Sequence, residues 1–144
     1  MLEPKKFKIL IVEDDIALSE MYKMKFTKEW FEAEVAENGF NAIVKLQQFQ
    51  PDAILLDIMM PDMDWFEALR VIREQTSMNT KIIMFTNLDK KEDIDKALNS
   101  GADDYVIKAN ITPKEIVEKV LGLLQSWKRQ VRCPHCGTIF SIDD

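Results

Sequence analysis

The stretch Pro51-Asp52-Ala53-Ile54-Leu55-Leu56-Asp57-Ile58-Met59-Met60-Pro61-Asp62-Met63-Asp64 decides how the chain reads. Ala53–Leu56 carries no polar residue. A short apolar run of this kind, opened by Pro51-Asp52 and closed by an acid, reads as a strand buried on both faces. Asp57 then stands at the strand's carboxyl end. Met60 to Asp64 reads as a loop, and Asp64 is placed to cap a helix running to about Gln75.

Upstream, Lys8–Val12 is a second such run and stops at three acids, Glu13-Asp14-Asp15. From Ile16 to about Lys28 the apolar residues Leu18, Met21, Tyr22 and Phe26 fall at helical spacing. Phe31–Ala36 alternates as a strand does, Asn38-Gly39 marks a turn, and Phe40–Phe49 reads as a helix. Downstream, Lys81–Phe85 is a strand ending on Thr86-Asn87. Lys90–Asn99 is a helix stopped by Ser100-Gly101. Tyr105–Ile107 is a short strand ending on Lys108. The last helix opens with Thr112 as N-cap, Pro113 at the first position and Glu115 closing a capping box, and should run to about Lys128.

Five strands alternating with five helical segments predict an α/β fold with a parallel sheet and right-handed crossovers. In open parallel sheets the site lies beyond the carboxyl ends of the strands. Glu13-Asp14-Asp15, Asp57, Thr86 and Lys108 should therefore converge. Crowded carboxylates repel unless one keeps its proton or a cation neutralises them. Hard oxygen donors without His or Cys suit Mg²⁺. A carboxylate beside that ion can attack phosphorus to form an aspartyl phosphate, while an ammonium and a hydroxyl bind the remaining oxygens. For any one of these acids alone, a loop-capping role is the simpler reading. Four strand ends with complementary chemistry are harder to explain that way.

Composition narrows the partners. The chain has 144 residues, is 47% hydrophobic and carries a formal charge of −6. That acidity disfavours non-specific nucleic-acid binding. No apolar run approaches the ~20 residues of a membrane span, and no signal-peptide core follows Met1. The two cysteines do not read as a secreted disulfide framework. The expectation is a cytoplasmic protein with no membrane and no nucleic-acid partner.

The motifs KILIVEDD, PDAILLDIMMPDMD, KIIMFTN and GADDYVIK, in this order and spacing, make residues 7–128 resemble a response-regulator receiver domain of two-component systems, CheY-like in kind. The resemblance implies a flavodoxin-like three-layer sandwich with strand order 2-1-3-4-5, followed by a tail of residues 129–144. It implies that Asp57 is the phosphoacceptor and that Thr86 and Lys108 grip the phosphoryl group. Mg²⁺ would be held by Asp14, Asp57, the backbone carbonyl of Met59 and, through water, Glu13. Tyr105 corresponds to the rotating aromatic of the switch, which with Thr86 reshapes the face of helix 4, strand 5 and helix 5. The phosphoryl donor would be a histidine kinase or phosphotransfer protein, and the output a protein contact. The protein would be a signalling switch rather than an enzyme. An interaction module that is never phosphorylated is the alternative. A phosphatase commonly needs a second Asp two residues after the nucleophile, where Met59 stands, and a flavin site lacks its phosphate loop after strand 1.

Four departures from the family pattern stand near the site. Trp65 occupies a position usually held by Gly, and either packs on its own helix or presents an apolar contact beside Asp57. Asn87 follows Thr86 where a small residue is usual, and is expected to narrow access to Asp57. Met59 and Leu88 cannot orient a water well, so a long-lived phosphorylated state is expected. Ala109 follows Lys108 where Pro is typical. A cis bond before a non-proline costs about 2.5–4 kcal/mol, so a trans peptide and an altered loop are expected.

The tail segment Cys133-Pro134-His135-Cys136-Gly137 resembles one knuckle of a zinc ribbon. A closed Zn²⁺ site needs four ligands, which two chains would supply together as a Cys₄ set. A redox pair, or a knuckle that binds nothing, are the other readings. Either a monomer or a homodimer is compatible. After residue 128, 16 residues remain, too few for a helix-turn-helix module, so a stand-alone receiver is expected.

Overall fold

The computed structural model describes residues 6–57, 64–77 and 79–132, with side chains to residue 125. Five parallel strands form one sheet in the order β2-β1-β3-β4-β5. They are β1 (Phe7–Val12), β2 (Phe31–Ala36), β3 (Ala53–Leu56), β4 (Lys81–Thr86) and β5 (Asp104–Ile107). The helices are α1 (Ile16–Lys28), α2 (Gly39–Phe49), α3 (Trp65–Gln75), α4 (Lys91–Asn99) and α5 (Pro113–Arg132), with a short 3₁₀ turn over Lys108–Asn110. The flavodoxin-like fold and its strand order are as expected.

The strand pattern explains the three layers. In β1, Ile9 and Ile11 face one side of the sheet while Leu10 and Val12 face the other, and all four are buried. Ile9 and Ile11 pack with Phe26, Leu55, Phe85, Ile116 and Val120, the layer of α1 and α5. Leu10 and Val12 pack with Leu46, Ile54, Leu69, Ile72 and Ala97, the layer of α2, α3 and α4. Strands apolar on both faces need helices on both sides, which is why the central runs carry no alternation. Burying one Ile or Leu fully contributes about 1.5–3 kcal/mol.

Local signals set the helix ends. Asp15 accepts the Leu18 N–H at 3.1 Å, Asn38 that of Asn41 at 2.8 Å, and Asp64 that of Phe66 at 3.0 Å. At α5, Glu115 accepts the Thr112 N–H at 2.9 Å while the Thr112 hydroxyl accepts the Glu115 N–H at 3.1 Å, a complete capping box. The helix continues past residue 128 to Arg132, with no proline before Pro134 to stop it.

The amino-terminal edge of β4 and β5 is held by one side chain. Arg73 of α3 donates to the Gly101 carbonyl at 3.0 and 2.8 Å, to Ser77 and Thr80 carbonyls at 3.0 and 3.1 Å, and to Asp103 at 2.7 Å. Asp103 also accepts the Ile82 N–H at 2.8 Å. Gly101 has φ +121°, and a Cβ there would meet Arg73 Cγ at 3.0 Å. Glycine is needed on both counts.

Candidate phosphoryl-transfer site

The carboxyl ends of β1, β3, β4 and β5 bring the expected residues together. The Asp57 N–H donates to the Val12 carbonyl at 3.2 Å, extending the β1–β3 ladder by one rung past Val12↔Leu56. The Glu13 N–H donates likewise to Ala36. Glu13 and Asp57 are thus carried to the rim by the ladders themselves. One ligand oxygen from each of Glu13, Asp14 and Asp57 lies within 4.8 Å of the others. Glu13 and Asp57 are 5% and 6% exposed, whereas Asp14 faces solvent.

Lys108 answers this charge. Its Nζ donates to Asp57 Oδ2 at 2.9 Å and to Glu13 Oε1. The ammonium also lies 5.6 Å from the centroid of the Phe85 ring. Burial alone would lower the Lys108 pKa, but hydrogen bonds to Glu13 and Asp57 outweigh it and leave it raised. Burial pushes Glu13 up, against the lowering effect of Lys108 and of the Asp15 N–H. Two buried carboxylates share one cation, so the pocket stays rich in negative charge. A divalent ion with a preference for oxygen fits this donor set, and Mg²⁺ is the ion whose usual ligands are one or two carboxylates with water and phosphate.

Thr86 closes β4 and is fully buried. Its hydroxyl accepts the Leu88 N–H at 3.3 Å. Tyr105 is half-buried and packs against the α2–α4 layer, and its hydroxyl donates to the Leu88 carbonyl at 2.7 Å. Burial first, then Asp93, Asp89 and Asp57, push the phenol up to about 12.

The departures resolve into specific contacts. Trp65 is half-buried, packs against the α2–α4 layer and stands edge-on to Phe66, with ring centroids 5.6 Å apart. No cis peptide bond is present among the described residues, and Ala109 lies in the 3₁₀ turn. Asn87 is exposed, and its Oδ1 accepts the Ala109 N–H at 2.9 Å. Sequence reasoning missed this bond, although a non-proline residue at 109 was its one visible sign. Met59, Cys133, His135 and Cys136 lie outside the described residues. A groove at the amino ends of the strands, lined by residues such as Phe7, Gln47, Asp52 and Asn79, has no part in this site.

A sheet of order 2-1-3-4-5 with an acidic pocket and a lysine at its carboxyl edge defines a receiver domain. The response regulator receiver domain model matches residues 9–121, and the chain belongs to that family. It is 39% identical over 118 residues to the transcriptional regulatory protein TrcR of Mycobacterium tuberculosis, covering 82% of this chain and 45% of that protein. With the transcriptional regulatory protein ResD of Bacillus subtilis the identity is 37% over 118 residues, 82% of this chain and 48% of ResD. The chain thus spans about half the length of these curated relatives. Among solved structures, a CheY-like receiver domain protein from Methanospirillum hungatei is 30% identical with a TM-score of 0.80, covering 86% of this chain and 98% of that one. A two-component response regulator from Clostridium difficile gives 29% and 0.79, covering 85% and 98%.

Proposed function

We propose that Asp57 accepts a phosphoryl group from a histidine kinase or phosphotransfer protein, and that the domain works as a signalling switch. The observation that carries this reading is the convergence of Glu13, Asp14, Asp57 and Lys108 at one end of the sheet. A carboxylate oxygen of Asp57 attacks phosphorus. The O–P bond forms as the bond from phosphorus to the donor nitrogen breaks, and the donor imidazole keeps the electron pair. Lys108, already bonded to Asp57, follows the charge onto the phosphoryl oxygens. The Thr86 hydroxyl, at the end of the neighbouring strand, binds a second oxygen once it leaves the Leu88 N–H. Glu13, Asp14, Asp57 and the Met59 carbonyl are the residues to hold Mg²⁺. When bound, that ion supplies positive charge to the carboxylates and to the phosphoryl oxygens.

The readout is a protein contact on the face of α4, β5 and α5. Tyr105 bridges β5 to the loop before α4, so movement of Thr86 or Leu88 reaches that face directly. The formal charge of −6 supports a protein partner over nucleic acid. Leu88, apolar beside Thr86, supports slow hydrolysis of the acyl phosphate.

The test is incubation with Mg²⁺ and acetyl phosphate, then with a phosphorylated histidine kinase, beside Asp57→Asn. Wild type should gain one phosphoryl group by intact mass and the variant none. Equal behaviour with both donors would leave the interaction module that is never phosphorylated.

We also propose, from spacing alone, that Cys133 and Cys136 of two chains hold one Zn²⁺. One zinc per two chains would support it. Zinc-free protein of unchanged oligomeric state would remove it.

A further inference from the structure

Strands β4 and β5 end as register partners, Thr86 opposite Ile107. Beyond them the backbone ladder stops, and Lys108 begins a 3₁₀ turn of three residues. That turn is weakly closed, because the Ile111 N–H reaches the Lys108 carbonyl at 3.4 Å. A short 3₁₀ segment with one long bond fixes its own backbone poorly. Yet Lys108 must hold a long, flexible side chain between two carboxylates, which costs rotamer entropy and depends on where its backbone sits.

Two side-chain bonds from either side supply the missing restraint. The Tyr105 hydroxyl donates to the Leu88 carbonyl at 2.7 Å, and Asn87 Oδ1 accepts the Ala109 N–H at 2.9 Å. The segment from 105 to 109, with Lys108 inside it, is thereby tied twice to the loop that follows Thr86. Asn87 and Ala109 are both exposed. Packing does not force their contact, so the hydrogen bond itself sets the geometry.

We propose that Asn87 is a positioning residue for phosphoryl transfer at Asp57: it replaces the lost rung of the ladder, holds the Lys108 backbone through the Ala109 N–H, and so aims the ammonium. The proposal rests on the phosphoacceptor reading of Asp57. It also inverts the sequence expectation for Asn87. A side chain that screens Asp57 slows phosphorylation, whereas one that aims Lys108 speeds it.

The experiment measures the rate of phosphorylation of the full chain by acetyl phosphate with Mg²⁺, using intact mass, in wild type, Asn87→Ala, Ala109→Gly, Ala109→Pro and the double variant Asn87→Ala/Ala109→Pro. Asn87→Ala should be slower by about 5- to 20-fold. Ala109→Gly keeps the N–H and should stay within about twofold. Ala109→Pro removes the N–H and should fall as far as Asn87→Ala, and the double variant no further. Glycine loosens the unfolded chain and proline stiffens it. A rate that survives glycine and fails with proline, read beside urea midpoints, therefore does not follow stability. Asn87→Ala at or above the wild-type rate would overturn the proposal, as would equal rates for the glycine and proline variants or additive losses in the double variant. If wild type itself takes no phosphoryl group, the phosphoacceptor reading fails and this one with it. If wild type does and Asn87→Ala does equally well, this one fails alone.

Discussion

Lys108 Nζ sits 2.9 Å from Asp57 Oδ2 and is shared with Glu13, although the three residues come from the ends of three different strands. The lysine acts as a counter-ion to Asp57, the residue proposed to accept the phosphoryl group. Several outcomes depend on that arrangement.

Replacing Lys108 by Ala leaves Glu13 and Asp57 buried without their ammonium. Breaking a buried pair in this way costs about 3–5 kcal/mol. Urea unfolding without Mg²⁺ should show a loss at or below that range, and added Mg²⁺ should recover more stability in the variant than in wild type. An equal gain from Mg²⁺ in both proteins would mean that Lys108 does not offset the carboxylate repulsion.

Mg²⁺ should also stabilise the wild-type chain through its acidic cluster. A ligand at ten times its Kd stabilises the folded state by about 1.4 kcal/mol. Thermal unfolding should shift upward with Mg²⁺, return with chelator, and respond little in Asp14→Ala. An undiminished shift in that variant would move the ion elsewhere.

Tyr105 should make stability fall at high pH. Its phenol is neutral when protonated, and its folded-state value of about 12 lies above the ordinary 10.0. The unfolded chain therefore releases this proton first. The contribution is complete below pH 10 and is lost as pH rises towards 12. Tyr105→Phe should show a shallower alkaline decline in denaturant midpoint. Tyr22, also raised by burial, is present in both proteins and cancels. Identical slopes would sink the assignment.

At the other end of the sheet, Arg73→Ala should cost about 2–3 kcal/mol, since it strips charged donors from the half-buried Gly101 carbonyl and the buried Thr80 carbonyl. Gly101→Ala should also destabilise, because alanine is strained at that φ and meets Arg73 Cγ. Neither change touches the Lys108 cluster, so phosphorylation of the folded fraction should keep its wild-type rate. A coupled loss of rate would show that this edge and the site communicate.

Gln50 sits after α2 with φ 52°, in the left-handed region that costs a non-glycine residue about 1–2 kcal/mol. Gln50→Gly should hold or raise stability, and chemical unfolding will show the sign. A clear loss would mean that the Gln50 side chain contributes more than the backbone strain it imposes.

Much of the fold was legible because its signals are local. The apolar runs Lys8–Val12, Ala53–Leu56 and Lys81–Phe85 carry no amphipathic alternation, which only a doubly covered sheet accommodates. Asp15, Asp64 and the Thr112–Glu115 pair lie beside the amides they cap. Strand-end chemistry followed from the parallel rule, so Glu13, Asp14, Asp57, Thr86 and Lys108 were visible as a group. The clasp of Asn87 on Ala109 and the staple of Arg73 were not, because each joins residues more than 20 positions apart through a side chain whose rotamer no local pattern dictates.

The amino-acid sequence by itself determined the elements, their order, the parallel sheet and the set of groups at its carboxyl edge, since periodicity, caps and crossover rules act over short stretches. Only the tertiary structure decided which of those groups pair. It placed one ammonium between Glu13 and Asp57, set Trp65 into the α2–α4 layer, and bonded Asn87 Oδ1 to the Ala109 N–H. Those choices depend on strand register and on competition for a single cation, which are properties of distances across the sheet rather than of spacing along the chain.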